Sequence, residues 1–225
     1  MSHAVGTCRV AGRSKVTSIA FISDTHGAHW DIDVPKADII IHAGDCLGHG
    51  TLSEVEDMNA WFGTLPHKVI LIAGNHDWVF ERNVEACRKV LTNCIYLHDS
   101  STEVCGLKVY GSPYSPRFFD WAFNLDDQQL FQKWEQIPTE VDILVTHGPP
   151  YGILDRTREG RDVGCHHLLT RIQKIRPRIH AFGHIHEGYG KVKKFGTTFV
   201  NASVMTRDYD PLNRAIVCKI KKGKT

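Results

Sequence analysis

Five times along this chain an apolar run of strand type stops abruptly at residues able to hold a metal ion. The segments are Ile22-Ser-Asp24-Thr-His26, His42-Ala-Gly44-Asp45, Ala73-Gly-Asn75-His76-Asp77, Val145-Thr-His147-Gly and Phe182-Gly-His184-Ile-His186. Runs rich in Ile and Val that end at Gly, Asp or His read as buried strands. In open α/β sheets, ligands gather beyond the carboxyl ends of the strands. Five such ends, in one sheet or in two facing sheets, converge on one place.

The rest of the chain fits that frame. Strands are predicted over 18–22, 39–42, 69–73, 107–110, 143–146, 179–182, 198–200 and 215–220. Helical spacing joins Leu52, Val55, Asn59 and Phe62, and again Cys165, Leu168, Leu169, Ile172 and Ile175. A third helix is expected over 126–136, with Asp126 or Asp127 as its cap. Strands alternating with helices point to an α/β layer architecture. The last forty-odd residues are mostly strand-like, with a turn at Gly188 and Gly190. The stretch 111–123 holds Pro113, Pro116 and several aromatics, and reads as an ordered loop. With 225 residues and no linker, one domain over 16–221 is expected, preceded by a tail or edge segment at 1–15. The basic stretch 219–224 reads as a solvated end.

Composition narrows the function classes. A net charge of +2 gives no bulk argument for nucleic acid or an acidic membrane surface. No basic stripe with interleaved aromatics suggests a nuclease, and no apolar run reaches the ~18 residues of a membrane span. The seven cysteines are scattered without a Cys-x-x-Cys pair, which suggests reduced thiols and a cytoplasmic location.

Each metal-competent cluster has a mundane local explanation. Asp24-Thr-His26 could be a turn, Gly44-Asp45 or Asn75-His76-Asp77 a helix cap, His147 a satisfied core histidine, and His184-Ile-His186 an alternating strand. Five together, each after an apolar run, point to one site. Two Asp, several His and one Asn form an N/O donor set that suits Mn, Fe, Zn, Ni or Co and lacks the thiolates of a structural zinc site. One carboxylate can bridge two cations, and Asp45 is the natural choice.

The ordered set Asp-x-His, Gly-Asp, Gly-Asn-His-Asp, His-Gly and Gly-His-x-His resembles the calcineurin-like metallophosphoesterase superfamily over 19–203. Segments 112–123, 146–152 and 183–190 are similar to the small brain-type metallophosphoesterase-domain proteins. The resemblance implies a sandwich of two mixed β-sheets flanked by helices, and two divalent metals, manganese foremost. It assigns Asp24, His26, Asp45 and His186 to one metal, and Asp45, Asn75, His147 and His184 to the other. It implies a hydroxide bridging the metals as nucleophile, with Asn75 and His76 on the phosphate oxygens and His76 protonating the leaving oxygen. It further implies a phosphodiesterase acting on small diesters or cyclic nucleotides such as 2′,3′-cyclic AMP. A broad phosphomonoesterase, and a protein-binding scaffold of the same fold, are the alternatives.

One departure stands out. Protein phosphatases of the superfamily carry Gly-Asp-x-x-Asp-Arg-Gly, whose second Asp supports the catalytic histidine. Here Gly48 and His49 stand in place of that Asp and Arg. This turns the expectation away from phosphoproteins and leaves open whether Asp77 or a carbonyl orients His76. Arg117, Trp121 and Phe123, together with Asn75 and His76, are the expected substrate contacts. The aromatics of that loop, Tyr114, Phe118 and Phe119 included, could stack a base or pack the loop onto the domain. Arg161 is a further candidate for a phosphate, and Asn201 for reaching the site.

Overall fold

The computed structural model describes residues 16–221. The expected segment 1–15 and the end of the basic stretch, 222–225, lie outside the described residues. Two mixed sheets pack face to face, with helices on both outer surfaces. The first contains β1 (Val16–Ile22), β2 (Ile39–Ala43), β3 (Lys68–Ile72), β4 (Ile95–Tyr96) and β13 (Ile216–Lys221). Their order is β13-β1-β2-β3-β4, antiparallel only at the β13–β1 edge. The second contains β5 (Ser100–Val104), β6 (Leu107–Ser112), β9 (Ile143–Thr146), β10 (Ile179–Phe182), β11 (Gly190–Lys194) and β12 (Thr197–Asn201). Its order is β11-β12-β10-β9-β6-β5, parallel in the middle and antiparallel at both edges. A short parallel pair, β7 (Ser115–Pro116) and β8 (Asn124–Leu125), brackets the aromatic loop 117–123.

Alternation along the strands builds the layers, because successive side chains point to opposite faces. Ile19 and Phe21 of β1, Ile39 and Ile41 of β2, and Ile70 and Ile72 of β3 face the other sheet and meet Val109, Ile143, Val145, Ile179 and Val200. Their neighbours Ala20, Ile22, Ile40, Val69 and Leu71 face outward onto helices α1 (Leu52–Thr64), α2 (Trp78–Arg82) and α3 (Val84–Val90). On the far side Tyr110, Leu144, Phe182 and Phe199 pack against α4 (Asp127–Glu135) and α5 (His166–Ile175). Strands covered on both faces read as unbroken apolar runs, which is why the central ones were visible in the sequence.

The predicted strands agree with the structure to within two residues at either end. Asp126 caps α4 through a capping box with Gln129, and Thr51 caps α1 the same way with Glu54. The cap before α1 is therefore Thr51, and Asp45 is free for another role. Strands β4 and β5 and helices α2 and α3 were not predicted. β5 is an exposed edge of sequence Ser-Ser-Thr-Glu-Val with one fully buried residue, and so lacks an apolar run. β11 carries three lysines along its edge, a pattern that discourages pairing with other chains. Among the described residues, no helix is long and apolar enough to cross a membrane.

Candidate metal centre

The two sheets meet at the carboxyl ends of their central strands. Ser23 after β1 bridges Ser203 after β12, and the Gly183 N–H donates to the His147 carbonyl. The segments beyond β1, β2, β3, β9 and β10 thus share one rim and carry all seven expected ligands. Turning off a strand so sharply requires unusual backbone. Asp24, His26, Asp45 and His184 all lie in the left-handed region, at φ 55°, 43°, 51° and 68°. Each such residue costs about 1–3 kcal/mol and persists only where its surroundings hold it, as at functional sites. Here the hold is a ladder between the first two loops: Asp24 N–H to Gly44 O at 2.9 Å, His26 N–H to Asp45 O at 3.0 Å, and Gly27 N–H to Cys46 O at 3.1 Å.

The side chains form two adjoining groups. Asp24, His26 and His186 bring donor atoms within 4.8 Å of one another, and so do Asp45, His147 and His184. A third grouping of His26, Asp45 and His76 links them through Asp45. One Asp45 oxygen accepts the His76 N–H at 2.7 Å, while the other lies 3.3 Å from His147 Nε2 and 3.9 Å from His26 Nε2. Asn75 completes the second group, with its Oδ1 2.8 Å from His147 Nε2. His147 and His186 each set their Nδ1 on a backbone carbonyl, of Ala43 and Thr206, both at 3.0 Å. That contact makes Nδ1 the donor and leaves Nε2 as the lone-pair nitrogen facing the carboxylates, the arrangement outer partners give to ligating histidines. His26 Nε2 is buried with no hydrogen-bond partner. A buried polar atom left unpaired inside a ring of carboxylates and imidazoles fits a divalent cation as the missing partner.

The electrostatics also favour positive charge here. Burial pushes Asp24 and Asp45 up, but neighbouring imidazoles outweigh it: His186 and His147 for Asp24, and His147, His26 and His76 for Asp45. Both carboxyls stay below the usual carboxylate range. Burial pushes His147 down, yet Asp45 and then Asp24 raise it to about 9. The proton so attracted occupies the place a cation would take.

Close approach of backbone makes this density possible. A Cβ on Gly74 would come within 2.4 Å of Asp45 Oδ1, and one on Gly183 would come still closer to an Asp24 oxygen. Gly148, next to His147, abuts Ser115 of β7 and not the ligands.

Asp77 does not orient His76. Its carboxylate accepts N–H bonds from Gly74 at 2.7 Å, Leu47 at 2.9 Å and Cys46 at 3.3 Å, and so fastens the third loop to the second. Burial, then the Asp45 charge, lifts its carboxyl to about 7. Beside the metal groups lies a cleft of about 660 Å³, lined among others by Asn75, His76, Arg117, Trp121, Arg161 and Tyr209. Phe123, expected on the substrate, is instead 2% exposed in the core. The reason is its left-handed backbone and the bond from its N–H to Glu81, which turn the ring inward between Tyr114 and His98. Phe118 lines the cleft and is more than half exposed. His166 stacks on Tyr151, and the buried Asn201 amide holds the carbonyls of Leu154 and Ile185; neither lines the cleft.

Three features escaped the sequence reading. The Tyr209 ring lies 5.0 Å from both His26 and His186 and forms a wall of the cleft. Nothing in its polar surroundings marks it, since the loop is positioned only by folding. His42 and His180, both fully buried, each set Nε2 on a threonine beside a ligand: Thr25 at 3.0 Å and Thr146 at 2.8 Å. Their signal was a histidine inside an apolar strand.

Comparison with known proteins bears on the same residues. The profile described as "Calcineurin-like phosphoesterase" matches residues 17–188. Metallophosphoesterase domain-containing protein 1 of Homo sapiens is 44% identical over 228 residues, covering 89% of this chain and 70% of its own length. A solved crystal structure 17% identical superposes with a TM-score of 0.66, covering 83% of this chain and 90% of its own. GAP50, the anchor in the inner membrane complex of Plasmodium, is 10% identical with a TM-score of 0.53, covering 92% of this chain and 81% of its own. The two structural likenesses concern the fold alone.

Proposed function

The chain belongs to the calcineurin-like phosphoesterase family, whose members are metal-dependent phosphoric ester hydrolases, and from that premise we propose that it hydrolyses small phosphodiesters, 2′,3′-cyclic nucleotides among them. The observation that carries the proposal is the pair of donor groups joined by Asp45 at the edge of one cleft. Asp24, His26 and His186 with Asp45 would hold one divalent ion, and Asp45, Asn75, His147 and His184 the other, with manganese the first choice for this N/O set. Two such ions supply Lewis-acid charge and a water acidic enough to act as nucleophile at neutral pH.

The chain's own residues do the rest. Asn75 lies between His147 and the cleft, so its amide can meet a non-bridging phosphate oxygen as charge builds there. His76 lines the cleft next to Asp45 and can give a proton to the departing oxygen. Arg117 and Arg161 line the same cleft and supply positive charge for an anionic substrate. Gly48 supports a small substrate over a phosphoprotein: its N–H and that of His49 are bound by Glu54 at 2.9 Å, and the Asp45 carboxylate of that loop meets the His76 backbone N–H and not its ring. The six cysteines among the described residues are free thiols, which supports a cytoplasmic location.

A protein-binding scaffold of the same fold is the alternative. Retention of all seven expected ligands in one geometry supports the enzyme instead. The test is a screen of Mn-loaded protein across esters. Turnover of bis-p-nitrophenyl phosphate and of 2′,3′-cyclic AMP is expected. Turnover of p-nitrophenyl phosphate alone would overturn the diester reading.

A further inference from the structure

The resemblance to protein phosphatases implies a carboxylate that supports the histidine beside the metals, and this chain has Gly48 at that position. Among the described residues no carboxylate makes a hydrogen bond or ion pair with the His76 ring. Asp77 is committed to three backbone donors, and Glu54 to Gly48, His49 and Thr51. What meets His76 instead is aromatic. The Trp121 indole stacks on it with centroids 4.3 Å apart and planes 26° from parallel. The His26 ring meets it edge-on at 4.6 Å and 82°. Stacked and edge-to-face pairs at such distances favour a set mutual orientation.

We infer that Trp121 is the positioning residue for His76, an indole in the supporting role that the resemblance gives to a carboxylate; the inference rests on the phosphodiesterase reading above. The indole is itself well held. Ala122, the next residue, is fully buried and donates its N–H to the Asn75 carbonyl at 3.2 Å, so the Trp121 loop is tied to the residue preceding His76. Phe123 sits in the core with its N–H on Glu81 at 2.7 Å. The pairing of β7 with β8 closes the loop at its base. The proline and aromatic residues of 112–123 thus anchor one ring. A stacked indole fixes the plane of an imidazole but, unlike a carboxylate, takes no proton from it, so both ring nitrogens remain available to the site. One face of Trp121 is already used by His76, which argues against the whole ring serving as a platform for a substrate base.

The test separates leaving groups. A ribose alkoxide must be protonated as it leaves, whereas p-nitrophenolate departs as a stable anion. W121A should lower kcat on 2′,3′-cyclic AMP by about 10- to 100-fold, and lower kcat on bis-p-nitrophenyl phosphate, whose leaving group needs no proton, by a factor at least about threefold smaller. W121F, which keeps a stacking ring, should recover most of the loss and guards against a folding defect. In an H76A background, W121A should add less than about a twofold effect, as for two residues acting as one unit. Equal losses on both substrates, a rise in KM with kcat unchanged, or additive effects would overturn the inference in favour of a substrate platform. A separate readout needs no turnover. The His76 ring protons should show an upfield ring-current shift that W121A removes, and an unshifted His76 overturns the stacking. If neither diester is hydrolysed but the shift is present, the phosphodiesterase reading fails while the stacking stands.

Discussion

Replacing Gly74 by alanine adds one carbon atom at the most crowded point of the metal centre. A Cβ there would lie 2.4 Å from both the nitrogen and Oδ1 of Asp45, and 2.7 Å from Cε1 of His147. Ordinary contact begins near 3.4 Å, so Asp45 and its loop must retreat by about 1 Å. The neighbour is backbone, so no side-chain rotation relieves the clash. Overpacking of this kind costs about 1–3 kcal/mol of stability. The effect on the site should be larger, because Asp45 is the residue both donor groups share. Displacing a ligand's support costs about 10- to 100-fold in metal affinity, and a displacement near 1 Å costs about 100-fold in rate. Gly160→Ala is the control: Gly160, unlike Gly74, has a restricted backbone, φ +77°, but nothing lies within 4 Å of its Cβ position. It should lose about 1–2 kcal/mol of stability and no metal affinity. Calorimetric titration with Mn²⁺ and circular dichroism on both variants decide the matter. A folded Gly74→Ala protein with wild-type affinity for both ions would refute the close-approach argument.

Further outcomes follow from the same geometry. Asp77→Ala strands three buried N–H groups, of Gly74, Leu47 and Cys46, and should cost about 3 kcal/mol or more in urea denaturation; a loss below about 1 kcal/mol would show that Asp77 does not fasten the loops. Phe123→Ala should cost about 3–5 kcal/mol as a core truncation, with KM and metal content unchanged at the refolded site; an altered KM without lost stability would return Phe123 to the substrate. His180 is held at about 3 by burial, far below the usual ~6.5. The unfolded chain therefore takes the proton first as pH falls, and stability is lost below about pH 6.5. Between pH 7 and pH 5 this one residue should remove about 2 kcal/mol. His180→Gln, which keeps a donor for Thr146, should be flatter by that amount; equal slopes would refute the assignment.

The ligand set was readable because it sits on runs that are buried on both faces. β1, β2, β3, β9 and β10 are mainly apolar and mainly buried, and a cluster of polar residues just past their ends has no local reason to be there. The supporting structure was hidden for the opposite reason. β5 and β11 are exposed edges with polar or basic sequences, and α2 and α3 are short, so neither period is long enough to register. Asp77, His42 and His180 act on backbone or on a threonine across the fold, contacts that no spacing in the chain reveals. Trp121 and Phe123 look alike in the sequence, as aromatics of one loop. A left-handed turn at Phe123 sends one ring to the core, while the tie from Ala122 to Asn75 sets the other on His76. The residue that answers the missing carboxylate at Gly48 comes from a segment more than seventy positions away.

The central claim is a dinuclear centre organised around Asp45. Equilibrium titration of the metal-stripped protein with Mn²⁺ tests it most directly. About two ions per chain should bind the wild type, and Asp45→Asn, which removes the shared carboxylate, should weaken both. A wild-type protein that binds one ion or none, or an Asp45→Asn variant that binds two with unchanged affinity, would contradict it.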